Sequence, residues 1–161
     1  MLAEWLTAIQ ELAPVAALRG SRWTYASVNA AHIVGIALLF GGIAPLDQRL
    51  IGWRRSVPLR TLARTLLPVA VGGFVLAVSA GLLLFATRAT EYAGKPLFWL
   101  KLTLIVCALG NALLLHRAVQ WEAQQDTAGG APPARLRVAG ALSILLWLAV
   151  IVCGRMLAFV D

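Results

Sequence analysis

Charge is what this sequence has least of. Asp, Glu, Lys and Arg together make up 13% of its 161 residues, against about a quarter in an ordinary soluble domain. Gly, Ser and Pro do not take up the deficit, which excludes a disordered chain; apolar residues do, at 60% with a mean hydropathy of +0.81. Acids are scarcer than bases, seven against fourteen. Two cysteines exclude a disulfide framework. Two methionines leave no soft ligand set for copper. No CxxC, paired carboxylate, phosphate loop or Ser-His-Asp set is present. In a soluble protein the net charge of +7 would suggest nucleic acid; in a chain this apolar it reports membrane orientation, and no nucleic-acid partner is expected.

What is there is a set of long charge-free runs. Residues 23–46 and 65–87 supply 24 and 23 positions without an ionised side chain other than histidine, enough for the roughly 20 that cross a hydrocarbon core. Two further runs, 102–116 and 138–154, count 15 and 17, and apolar sequence resumes beyond the cation that interrupts each. The pattern predicts an all-α polytopic membrane protein, a single domain over 1–161. Its transmembrane helices fall at about 23–46, 65–87, 97–117 and 136–159. Residues 2–18 place Leu2, Trp5, Leu6, Ile9 and Leu12 at helical spacing and read as a short interfacial helix ending near Pro14. Glu4 and Glu11, with no basic leader, argue against a signal peptide.

Four spans put the loops 47–64 and 117–137 on one face with eight arginines, and six Lys and Arg on the other. The basic loops are expected in the cytoplasm of a bacterial inner membrane, with both termini outside. Gly73, Ala77 and Gly81 in the second span, Gly35 and Gly42 in the first, and Gly140, Ser143, Trp147 and Gly154 in the fourth form stripes where helices pack. Asn29 and Asn111 are expected to bond across helices. Cys107 and Cys153 read as small apolar residues, and Trp23, Trp53 and Trp121 as interfacial aromatics.

Ionisable residues inside a span are costly and are functional candidates by default. Three fall at similar depth near the outer face: His32, about eight residues into the first span, Lys101, about four into the third, and Arg155, about four before the end of the fourth. No acid lies within any of the four runs. Two cations and one imidazole without a carboxylate suit a ligand that carries its own negative charge, and neutral imidazole is the commonest metal ligand. A haem b meets both conditions, with iron on His32 and propionates on Lys101 and Arg155. His116 lies about 17 Å further along the bundle, too far to share that iron, and reads as an interface residue.

The segment 31–41, Ala-His-Ile-Val-Gly-Ile-Ala-Leu-Leu-Phe-Gly, closed by Asp47-Gln48-Arg49-Leu50, resembles a family of uncharacterised bacterial four-helix membrane proteins. So do Pro96-Leu97-Phe98-Trp99-Leu100-Lys101 and Gly154-Arg155-Met156-Leu157-Ala158-Phe159. Many of its members carry a carboxylate at the position of Asn29. More distantly, the first-span His and third-span Lys resemble those of bacterial membrane protoporphyrinogen oxidase, and the first-span His resembles that of the copper-resistance D family. The oxidase likeness implies haem on His32, with Lys101 as the counterpart of its lysine. The leading expectation is therefore a haem-binding membrane protein of redox type. Its partners would be membrane lipids and either a redox protein or a second copy of the chain. The alternatives are a non-enzymatic membrane subunit or scaffold, and a small transport or copper-handling protein.

Overall fold

A computed structural model describes residues 2–53, 56–122 and 132–159. The described residues are helical with short turns, in the order α1 Leu2–Glu11, α2 Ala13–Gly20, α3 Arg22–Ile51, α4 Leu59–Thr87, α5 Ala89–Ala93, α6 Pro96–Glu122 and α7 Ala134–Met156. Four of these, α3, α4, α6 and α7, are long and apolar enough to cross a membrane, so the chain is a multi-pass helical membrane protein. At 1.5 Å per residue, the 30-residue α3 reaches about 45 Å. It exceeds the roughly 30 Å hydrocarbon core and extends into the headgroup layers. Large apolar side chains such as Val106, Leu114, Val138 and Leu145 are exposed on the outside of the bundle, as a lipid-facing surface requires.

The N-terminal segment differs from the single helix expected over 2–18. It breaks at Leu12, and Pro14 opens α2 instead of ending α1. A proline in a first turn loses nothing, because the N–H groups there lack an intrahelical acceptor. α2 buries Val15 and Leu18, whereas Trp5 on α1 is largely exposed. The Gln10 side-chain amide reaches Thr90 at 3.1 Å and ties α1 to α5. Ser21 then caps α3, accepting from the Thr24 N–H at 3.3 Å, and Gly52 ends it in the left-handed region at φ 113°.

In lipid there is no hydrophobic drive between helices, so close van der Waals approach decides the packing. The tightest seam is α3 against α4. A methyl group at Gly35 would lie 2.5 Å from the Ala77 backbone nitrogen, and one at Gly73 would collide with the backbone of Leu39. The glycine stripes therefore do face each other. α7 packs on the other side of α3 and against α6, with Gly140 seated on the backbone of Asp47. Among the described residues α4 and α6 make no close backbone approach. Side chains fill the space between them: Phe74 meets Trp147 edge-on at 6.4 Å, within a core of Leu39, Ala70, Ala108 and Val150. At one end Phe85 stacks on Phe98 at 5.1 Å. That end carries α1, α2, α5 and the close of α7 and forms the terminal end of the bundle, opposite its loop end.

Candidate functional site at the terminal end of the bundle

His32 sits on α3, half-buried, facing α4. Its Nδ1 lies 2.7 Å from the carbonyl oxygen of Ala77. A carbonyl can only accept, so in the neutral ring Nδ1 carries the proton and Nε2 keeps its lone pair. A backbone carbonyl on the distal nitrogen is the arrangement that orients metal-binding imidazoles and raises their basicity. Gly81 makes room for the ring: a methyl group there would lie 3.0 Å from Cε1. The small-residue stripe of α4 therefore serves two ends, backbone contact at Gly73 and Ala77, and accommodation of an imidazole at Gly81.

Lys101 is partly buried on α6. Its ammonium lies over Gly154 of α7, 3.3 Å from where a methyl group would stand. Among the described residues, no hydrogen-bond acceptor or carboxylate meets this ammonium. A cation drawn from water into a bundle without a counter-charge is the costly state that an anionic guest relieves.

Arg155 does not join them. α7 closes at Met156, three residues before the expected 159. Arg155 thus falls in the last turn, exposed, with its guanidinium carbon 4.7 Å from the centre of the Phe159 ring. It shares the depth of Lys101 and faces the other way. Asn29, one turn before His32, is exposed as well, whereas Asn111 donates to the Ala139 carbonyl at 3.1 Å and joins α6 to α7 as expected. Both cysteines are unpaired, and Cys107 is exposed on the bundle surface. The side chain of His116 lies outside the described residues. No group of three or more His, Cys, Asp or Glu that could hold a bare metal ion occurs among the described residues; a haem iron, held largely by its macrocycle, needs no such group.

The loop end holds an acid that charge counting placed outside the first span. α3 continues through Asp47, which is only 2% exposed. The Ser143 hydroxyl donates to its carboxylate, yet Oδ2 has no partner among the described residues. Two residues on, Arg49 is also buried, and its Nε donates to the Val57 carbonyl at 2.8 Å. Helical spacing gave no signal for this acid: Gly35, Leu39 and Gly42 define the buried face of α3, and one more turn along that face lands on residue 46, with Asp47 to the side.

No protein-family model, curated protein or solved structure matches the chain.

Proposed function

We propose that this protein binds haem b within the membrane as a redox carrier, with His32 Nε2 as axial ligand and Lys101 as a partner for a propionate. One observation carries the reading: an imidazole with its Nδ1 proton committed to Ala77 shares the terminal end of the bundle with a partly buried ammonium, seated over Gly154, that has no acceptor among the described residues. When bound, the haem would supply one-electron chemistry. Ala77 holds the ring orientation, Gly81 leaves the imidazole its space, and Lys101 balances a carboxylate in a medium of low dielectric. Arg155 serves as a second anchor at the rim on this reading, and must then leave Phe159 to reach a propionate. The cation balance between the faces supports the terminal end, and with it the haem, on the outer side of a bacterial inner membrane.

The test is pigment. Protein purified from haem-replete cells should show a Soret band that disappears in His32→Ala and weakens in Lys101→Ala. Colourless wild-type protein would end the reading. A second reading, a non-enzymatic membrane subunit or scaffold, is favoured by the outward course of Arg155, since an exposed arginine at this depth also serves by meeting lipid headgroups or a partner chain. On that reading the spectrum is empty and Arg155→Ala alters retention of a partner.

A further inference from the structure

Away from His32, the terminal end carries an open cleft of about 260 Å³ lined by Arg19, Arg22, Tyr25, Thr87 and Arg88. Its three guanidinium groups come from three places in the fold. Arg19 lies in the last turn of α2, Arg22 opens α3, and Arg88 closes α4. Thr87 is buried and donates to the Leu84 carbonyl at 2.7 Å, which makes it part of the floor.

The charge in this cleft is not balanced from within. Glu91 is the one carboxylate that reaches a lining arginine among the described residues, 3.4 Å from Arg88, and Lys95 shares it at 3.3 Å. Arg19 and Arg22 have no ion pair there. Three like charges gathered by separate helices around one hollow repel each other until an anion enters. Guanidinium forks suit the oxygens of phosphate, which they can grip two at a time. Depth narrows the source of that phosphate. Arg22 begins one membrane-crossing helix and Thr87 ends the next, so the cleft opens at the edge of the hydrocarbon, at the level of lipid headgroups. At the same end of the bundle Trp23, next to Arg22 in the chain, is 86% exposed and Trp5 on α1 is 71% exposed, as aromatic side chains are at that level.

We propose that Arg19, Arg22 and Arg88 form a phosphate site, filled in the membrane by the phosphodiester of an anionic lipid headgroup. The site anchors α2 and the start of α3 to the α4–α5 turn through a ligand that belongs to the bilayer. It does not depend on haem. Tyr25 lies two turns from His32 along α3, about 10 Å towards the headgroups.

The test uses the full chain in a neutral detergent, incubated with equimolar phosphatidylglycerol and phosphatidylcholine and read by native mass spectrometry. Wild type should retain phosphatidylglycerol over phosphatidylcholine, and Arg22→Gln/Arg88→Gln, which removes two guanidinium groups, should lower that retention by about a hundredfold, at about tenfold for each lost charge-assisted hydrogen bond. Arg64→Gln, an exposed arginine at the loop end, should retain the lipid, as should His32→Ala; undiminished helical circular dichroism in the double variant shows that it has folded. Added glycerol 3-phosphate or inorganic phosphate identifies the source. Failure to displace the lipid at equal concentration supports the headgroup; displacement supports the same arginines with soluble phosphate as their ligand. Equal retention of the two lipids by wild type, or full retention of phosphatidylglycerol by the double variant, would overturn the site.

Discussion

The two ends of the bundle treat polar groups in opposite ways. At the loop end Asp47, Ser143 and Arg49 are closed off by packing: α7 comes down on α3 at Gly140, directly over the Asp47 backbone. At the terminal end the polar groups stay accessible. Among the described residues His32 Nε2 and the Lys101 ammonium meet no hydrogen-bond partner, and Arg19, Arg22 and Arg88 open into a cleft. The difference follows from helix spacing. Where α7 meets α3 through glycine and serine, no room remains for a guest. α4 and α6 make no close backbone approach, and at the other end side chains such as Phe85 and Phe98 span the gap. Charge that is buried and packed specifies how helices fit; charge left without a partner invites a ligand.

The contrast can be broken at several points. The largest effect is expected at the seam on which both ends depend. Gly35→Leu sets a side chain against the Ala77 backbone, where relief requires moving a helix, and should cost about 3 kcal/mol or more. Little folded protein should survive detergent extraction, as size-exclusion chromatography would show. Next comes Asp47→Asn, which removes a buried charge and keeps an oxygen for Ser143. It should raise stability by about 1 kcal/mol, since a buried carboxylate loses its hydration whereas an amide in the same place carries no charge; a lowered melting temperature would mean that the carboxylate is balanced after all. At the terminal end Lys101→Met keeps most of the volume and removes the unpaired ammonium. It should stabilise the empty protein slightly, by about 0.5–1 kcal/mol, while weakening haem retention, an opposition that a merely structural lysine would not produce.

The smallest effect concerns Tyr92, on α5 between the ends of α4 and α6. Burial pushes its phenol above the ordinary value of 10.0. The folded state thus favours the protonated ring, and the stability tied to it is intact below about pH 10 and falls as alkali ionises the unfolded chain. Tyr92→Phe keeps the ring beside Phe85 and Phe98 and should flatten that alkaline loss, with almost no change at neutral pH. Denaturation profiles of the two proteins against pH would reveal it.

Depth was legible in the sequence and azimuth was not. The absence of charge over 23–46 and 65–87 located two helices, and the resumption of apolar residues past Lys101 and Arg155 located the others. It placed those two cations near the same level, but hydropathy carries no record of which way a side chain faces. Lys101 turns inward over Gly154, while Arg155 turns out to Phe159. Where small residues recur every four positions, as at Gly73, Ala77 and Gly81, the azimuth is written too, because glycine in a lipid-facing position would gain nothing. Asp47 escaped for a related reason. Counting charges treats every acid as a boundary, and only the fit of Gly140 and Ser143 against it shows how this one is enclosed. The arginine cleft was out of reach of any linear reading, since its members lie on helices joined by the turns at Ser21 and Arg88 and meet only in space.

Titrating haemin into the purified, haem-free chain in detergent and following the Soret band decides whether His32 presents its Nε2 to an anionic, metal-bearing guest. Wild type should take up one haem per chain, and His32→Ala should hold none specifically when its helical content is unchanged. Saturation of His32→Ala at the same stoichiometry and affinity as wild type would contradict that role for His32.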